Sequence, residues 1–136
     1  MRNPGDSSLC DQAITTALSS VALTPVQDLE GILAATILAR FAYGSGGTST
    51  KAYVQVTLDG GATWVDVACF AFAQASGTRV INLSGLTPKT TPLTPSDGAL
   101  ADDTFVDGVL GSAMRVKLVT VGTYSNTILS VKASVR

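Results

Sequence analysis

The sequence predicts an all-β fold, a single antiparallel β-sandwich of about seven or eight strands. Three observations lead there. Apolar and polar residues alternate with a period of two over several successive runs. Clusters of Gly, Pro, Asp, Asn and Ser separate those runs, as hairpin and loop chemistry requires. Only one stretch carries a helical period, and it fits a strand as well. The 136 residues are enough for one domain and one core.

Residues 1–12, MRNPGDSSLCDQ, read as a polar, mobile arm that a partner would order. They lack the apolar stretch of a secretory signal. The sandwich is expected over residues 13–136. It begins with ITTALSSVALTPV, rich in Thr and Val, where Pro25 interrupts pairing or marks an edge. In LEGILAATILARFAYG, Leu29, Leu33, Ile37 and Phe41 recur every four residues, but Leu33, Ala35, Ile37, Ala39, Phe41 and Tyr43 also recur every two. The Gly-rich turn and the strand pattern that follow favour a long strand entering a hairpin. KAYVQVTL alternates cleanly, Asp59-Gly60-Gly61 marks a tight turn, and TWVDVACFAF and TRVINLSG continue the series. Residues 86–103, LTPKTTPLTPSDGALADD, form a long connection with three prolines and little to bury. SAMRVKLVTVG and NTILSVKASVR close the domain, each with one apolar and one wet face. Trp64, Phe41, Phe70 and Phe72 are the expected large core residues.

Charged residues are only 14% of the chain and the net charge is −1. The nine Lys and Arg are scattered, so nucleic acid has little electrostatic purchase. No apolar run approaches the roughly 18 residues of a membrane helix. There is no histidine, which removes the commonest general base and metal ligand. No cofactor is expected. Cys10 and Cys69 are expected to be free thiols.

The sharpest motif is TLDGGATWVDV. Thr57, Asp59, Gly61, Thr63 and Trp64 fit S/T-x-D-x-G-x-T-W. This resembles the Asp-box of sialidases and related proteins, with Thr57 in place of the usual Ser. The resemblance implies a structural hairpin: Asp59 caps the turn through backbone amides, Gly61 takes a conformation closed to other residues, and Trp64 packs beneath. A catalytic reading fares poorly, because the enzymes of that family carry several copies on a propeller and this chain has one. Asp97, Asp102, Asp103 and Asp107 supply oxygen ligands that a hard cation could use, against the simpler reading of a solvated, turn-rich loop. Asp28, Glu30 and Arg40 are either a buried charge pair or an exposed rim. Arg115 and Lys117, with Lys132 and Arg136, suggest a positive stripe serving edge protection or docking.

The layout as a whole resembles small virion structural proteins of tailed bacteriophages. The polar N-terminal segment, the run from DLEGILAATILARF through TLDGGATWVDV, and the loop LTPKTTPLTPSDG carry that likeness. It implies a non-enzymatic capsid decoration (cement) protein, made in the host cytoplasm and placed in the virion. Its partner would be the major capsid protein or another virion protein, with self-association in the particle and no nucleic acid or membrane. The contacts it implies are Arg2, Asn3, Pro88, Lys89, Pro92, Pro95, Arg115 and Lys117. The alternative is a neck, tail or adsorption component with a carbohydrate-binding face, which requires clustered exposed aromatics among Tyr43, Tyr53 and Tyr124.

Overall fold

A computed structural model describes residues 3–136. Every strand pairing among them is antiparallel. One sheet has four strands in the order β1-β11-β3-β7: β1 (Gly5–Ile14), β11 (Thr127–Val135), β3 (Ala34–Ala42) and β7 (Gly77–Ser84). The other has five, in the order β2-β9-β5-β6-β8: β2 (Val21–Ala22), β9 (Ala113–Val121), β5 (Ser49–Thr57), β6 (Val65–Phe72) and β8 (Thr104–Phe105). A two-residue ladder, β4 (Ser45–Gly46) with β10 (Tyr124–Ser125), ties two loops together at one end. The two larger sheets pack face to face as a β-sandwich.

Alternation explains the four-stranded sheet. In β3, Ala35, Ile37, Ala39 and Phe41 point inward while Thr36, Leu38, Arg40 and Ala42 point outward. In β11, Leu129, Val131, Ala133 and Val135 do the same against outward Ile128, Ser130, Lys132 and Ser134. An aromatic cluster closes the core: Phe41 stacks on Phe72 at 4.9 Å between centroids and meets the Tyr124 ring edge-on at 5.8 Å.

Three expectations are corrected. The arm expected over residues 1–12 is ordered where it is described: from Gly5 onward the chain is strand β1, paired along its length with β11. Leu9 and Cys10 are buried at 4% and 3% exposure, held by a bulge that turns successive residues inward. Arg2 lies outside the described residues, and Asn3 precedes the strand, exposed. The long strand of residues 29–43 is shorter, Ala34–Ala42. Gly31 at φ 87° breaks the run before it, and only Leu29 of that lead-in is buried in the core. Trp64 stands outside the core, half-buried just ahead of β6.

The five-stranded sheet departs furthest from a half-wet strand pattern. β5 and β6 are covered on both faces over most of their length. One face meets the other sheet. Part of the opposite face lies under the long connection, which returns over the sheet and binds to it.

Candidate binding surfaces

The Asp-box stretch joins β5 to β6, and the side-chain hydrogen bonds of Thr57 and Asp59 close within the turn. Thr57 Oγ1 accepts from Gly61 N at 2.9 Å and donates to Asp59 Oδ1 at 3.0 Å. Asp59 Oδ1 accepts from Thr63 N at 2.7 Å. That amide, first among several donors, holds the Asp59 carboxyl below its ordinary range. Gly61 sits at φ 101°, a region closed to other residues, with the Trp64 indole against it. All of these groups serve the turn. Asp59→Asn and Gly61→Ala are each expected to lower stability, read as a lower denaturation midpoint with an unchanged slope.

The long connection is a strap laid across the outer face of the five-stranded sheet, and Asp66 anchors it. This side chain is 2% exposed, on β6 beside Gln55 of β5. Its carboxylate accepts from Gly98 N and Ala99 N, both at 2.9 Å, and from Leu100 N at 3.2 Å. Ser96 Oγ donates to it at 2.9 Å and Gln55 Nε2 at 2.8 Å. The peptide of Asp66 also donates to Ser96 O. A buried anion is thus solvated by the backbone of the segment it fixes, the arrangement that offsets the cost of burying charge.

Charge does the rest. Among the described residues the ion pairs all run from this strap to the sheets: Lys51 to Asp102 at 2.9 Å, Arg79 to Asp103 at 3.4 Å, Lys117 to Asp97 at 2.8 Å and Arg115 to Asp97 at 4.0 Å. Arg115 also donates to Gln55 Oε1 at 2.8 Å and lies over the Trp64 ring at 4.1 Å. Asp107 closes the neck, accepting from Ser84 N at 2.6 Å and Thr87 Oγ1 at 2.9 Å. The strap is therefore a long loop with its own docking chemistry.

This corrects one further expectation and bears on two alternatives left open by the sequence. Arg115 and Lys117 form no stripe with Lys132, because β9 and β11 belong to different sheets and both β9 cations point under the strap. The four acids of residues 97–107 form no cation cage: each is used by a different partner, and no group of three or more metal-ligating side chains exists among the described residues. Asp28, Glu30 and Arg40 are an exposed rim rather than a buried pair.

Asp97 is held below its ordinary range mainly by the Lys117 ammonium, and Asp107 by the Ser84 amide. A carboxyl lowered on folding stabilises the fold above its unfolded value and loses that contribution as pH falls through the folded one. With Asp59, Asp97 and Asp107 all lowered, the denaturation midpoint is expected to be flat from about pH 5 to 7 and to fall below about pH 4.

Two surfaces are candidates for binding. Of the tyrosines, Tyr53 and Tyr124 are buried at 5% and 2% exposure, so Tyr43 alone reaches the surface. The aromatic cluster that glycan stacking requires is not displayed. The end of the sandwich where β5, β7 and β11 finish is different. It exposes Leu33 at 55%, Leu58 at 67% and Leu86 at 72%. A groove of about 290 Å³ opens there, lined by Ile32, Leu58 and Leu110 with Glu30 at its side. Pro88, Lys89, Pro92 and Pro95 lie on the exposed part of the strap that leaves this end. Sequence reasoning missed these leucines, because nothing local distinguishes them from leucines under a loop.

Cys10 and Cys69 are free and buried, with burial raising both thiols to about 11. No described helix is long and apolar enough to cross a membrane. No family model matches the chain, and neither a curated protein nor a solved structure does.

Proposed function

We propose that this protein is a non-enzymatic structural protein of a tailed-phage virion, a decoration module that docks on the capsid shell through its leucine-rich end. The single observation carrying this is the concentration of exposed leucines at one end, Leu33, Leu58 and Leu86, beside the groove at Ile32 and Leu110. Large apolar side chains grouped at an end, rather than scattered singly, mark a contact surface. The strap supports the same reading. Its inner segment is fixed by Asp66 and the ion pairs, while residues 88–95 stand exposed beside the leucines. A contact loop held on a rigid base loses little freedom on binding.

Repetition over a shell turns a modest contact into firm attachment. The polar chemistry described above is spent on the protein itself: Asp59 on its turn, Asp66 and Asp97 on the strap, Asp107 on the neck. The test is co-sedimentation with assembled tailed-phage capsid shells. Saturable binding is expected, with loss on Leu58→Asp or Leu86→Asp while circular dichroism stays unchanged. Equal binding by these variants would refute the leucine-end assignment.

A further inference from the structure

The two larger sheets end in four outer strands, and three of these edges are blunted. β2 and β8 are two residues long. β1 carries Asp6 and Asp11 and is interrupted by its bulge. β7 is the exception: eight residues paired to β3 without a register shift, with no proline and a single charge, Arg79. That charge does not stand free to repel an incoming strand. It pairs with Asp103 at 3.4 Å and lies over the Phe72 ring at 5.0 Å.

Hydrogen bonds at the end of β7 identify its open backbone groups. Gly85 N donates to Leu33 O on the β3 side, whereas Ser84 N turns the other way, to Asp107. Period two then directs the N–H and C=O groups of Thr78, Val80 and Asn82 away from β3. Among the described residues nothing bonds to them on that side. Exposed apolar side chains flank this edge. On the outer face Val80 is 62% exposed, and Leu38, opposite it on β3, is 39% exposed. Below the edge, Phe105 is 48% exposed and borders a groove of about 180 Å³ with Arg79, Val80 and Ile81.

We propose that β7 pairs antiparallel with β7 of a second copy about a two-fold axis at Val80, joining the two four-stranded sheets into one. Any extended segment can bond free amides; the side chains select a second copy. This register sets Val80 against Val80 of the second copy, the two exchanging both backbone bonds, and Thr78 against Asn82. Leu38 and Val80 of both copies then form one apolar row across the joint. Arg79 comes opposite Ile81, so no charge on β7 faces a like charge. Lys132 lies in the same row on β11, two strands in from β7, so its two copies stand at opposite ends of the row. The antiparallel sense points the two leucine-rich ends in opposite directions and leaves both open to the shell.

Sedimentation velocity across a concentration series tests the pairing with Val80→Lys and Val80→Glu, two changes at an exposed position. Wild type is expected to pass from monomer to dimer as concentration rises. Each variant alone is expected to dimerise at least about tenfold more weakly, because like charges then lie directly opposite at the axis. An equimolar mixture is expected to recover the dimer, the ammonium of one variant meeting the carboxylate of the other. Hydrogen exchange on the wild-type samples reads the strand pairing itself: the Val80 and Asn82 amides should slow as dimer forms. Wild type monomeric at every concentration, variants that dimerise as wild type does, a mixture no more dimeric than its components, or a dimer whose Val80 amide still exchanges freely would each overturn the proposal. A monomeric chain whose shell binding depends on Leu58 removes the self-pairing and leaves the proposed function standing.

Discussion

Asp66→Ala is expected to destabilise the fold by about 3–5 kcal/mol, since several buried donors lose a charged acceptor at once and hydrogen bonds to charged groups are each worth about 1.5–3 kcal/mol. The Ala side chain leaves the amides of Gly98, Ala99 and Leu100 without their acceptor, and Gln55 Nε2 with one fewer. Unmade bonds to a buried anion are the costly kind. Asp66→Asn keeps the shape but turns an NH2 group toward a set of donors, so about 2–3 kcal/mol is expected. For the Ala variant the melting temperature should fall by roughly 10–15 °C. Calorimetry of both variants measures this. A drop of the same size in Asp97→Asn would contradict the ranking, because Asp97 is half-exposed and its pairs with Lys117 and Arg115 are near solvent.

Deleting residues 1–12 has the other large effect: the remaining chain is expected not to fold cooperatively at 25 °C. The deletion removes most of β1 and its ladder to β11, from the Gly5↔Val135 pair through Gln12↔Leu129. It takes Leu9 and Cys10 out of the core and opens the inner face beneath Leu129 and Val131. Fully burying one large aliphatic side chain is worth about 1.5–3 kcal/mol, and a domain of this size has only about 5–15 kcal/mol in total. Far-ultraviolet circular dichroism through a thermal ramp reads the outcome. A cooperative transition at the wild-type temperature would mean the segment contributes nothing, as a mobile arm would.

These two effects fall where local sequence was least informative. Strands such as Ala34–Ala42 and Thr127–Val135 were legible because each has one dry and one wet face, and period two follows directly. β1 was not, because its bulge places Leu9 and Cys10 inward in succession, amid Asp6, Ser7, Ser8, Asp11 and Gln12. Arg115 and Lys117 read as wet-face residues, and Asp66 carries no local sign of its role. They are covered by a segment about thirty residues further along the chain from Asp66, and a local pattern carries no trace of that cover. The polar bonds of Thr57 and Asp59 in the turn span at most four residues and so follow from local sequence, whereas the place of Trp64 outside the core did not. The strap's acids were visible as a cluster, but their separation among four partners depends on tertiary placement.

The docked strap is the claim on which the binding surfaces depend, since it fixes residues 88–95 beside the leucines. Native-state hydrogen exchange at the amides of Gly98, Ala99 and Leu100 tests it most directly. Held by a buried carboxylate, these amides should exchange only by large openings, with protection close to that of the β5 and β6 core. Exchange at the rate of an unstructured peptide would show that the long connection floats free, and the surface built on it would have no fixed shape.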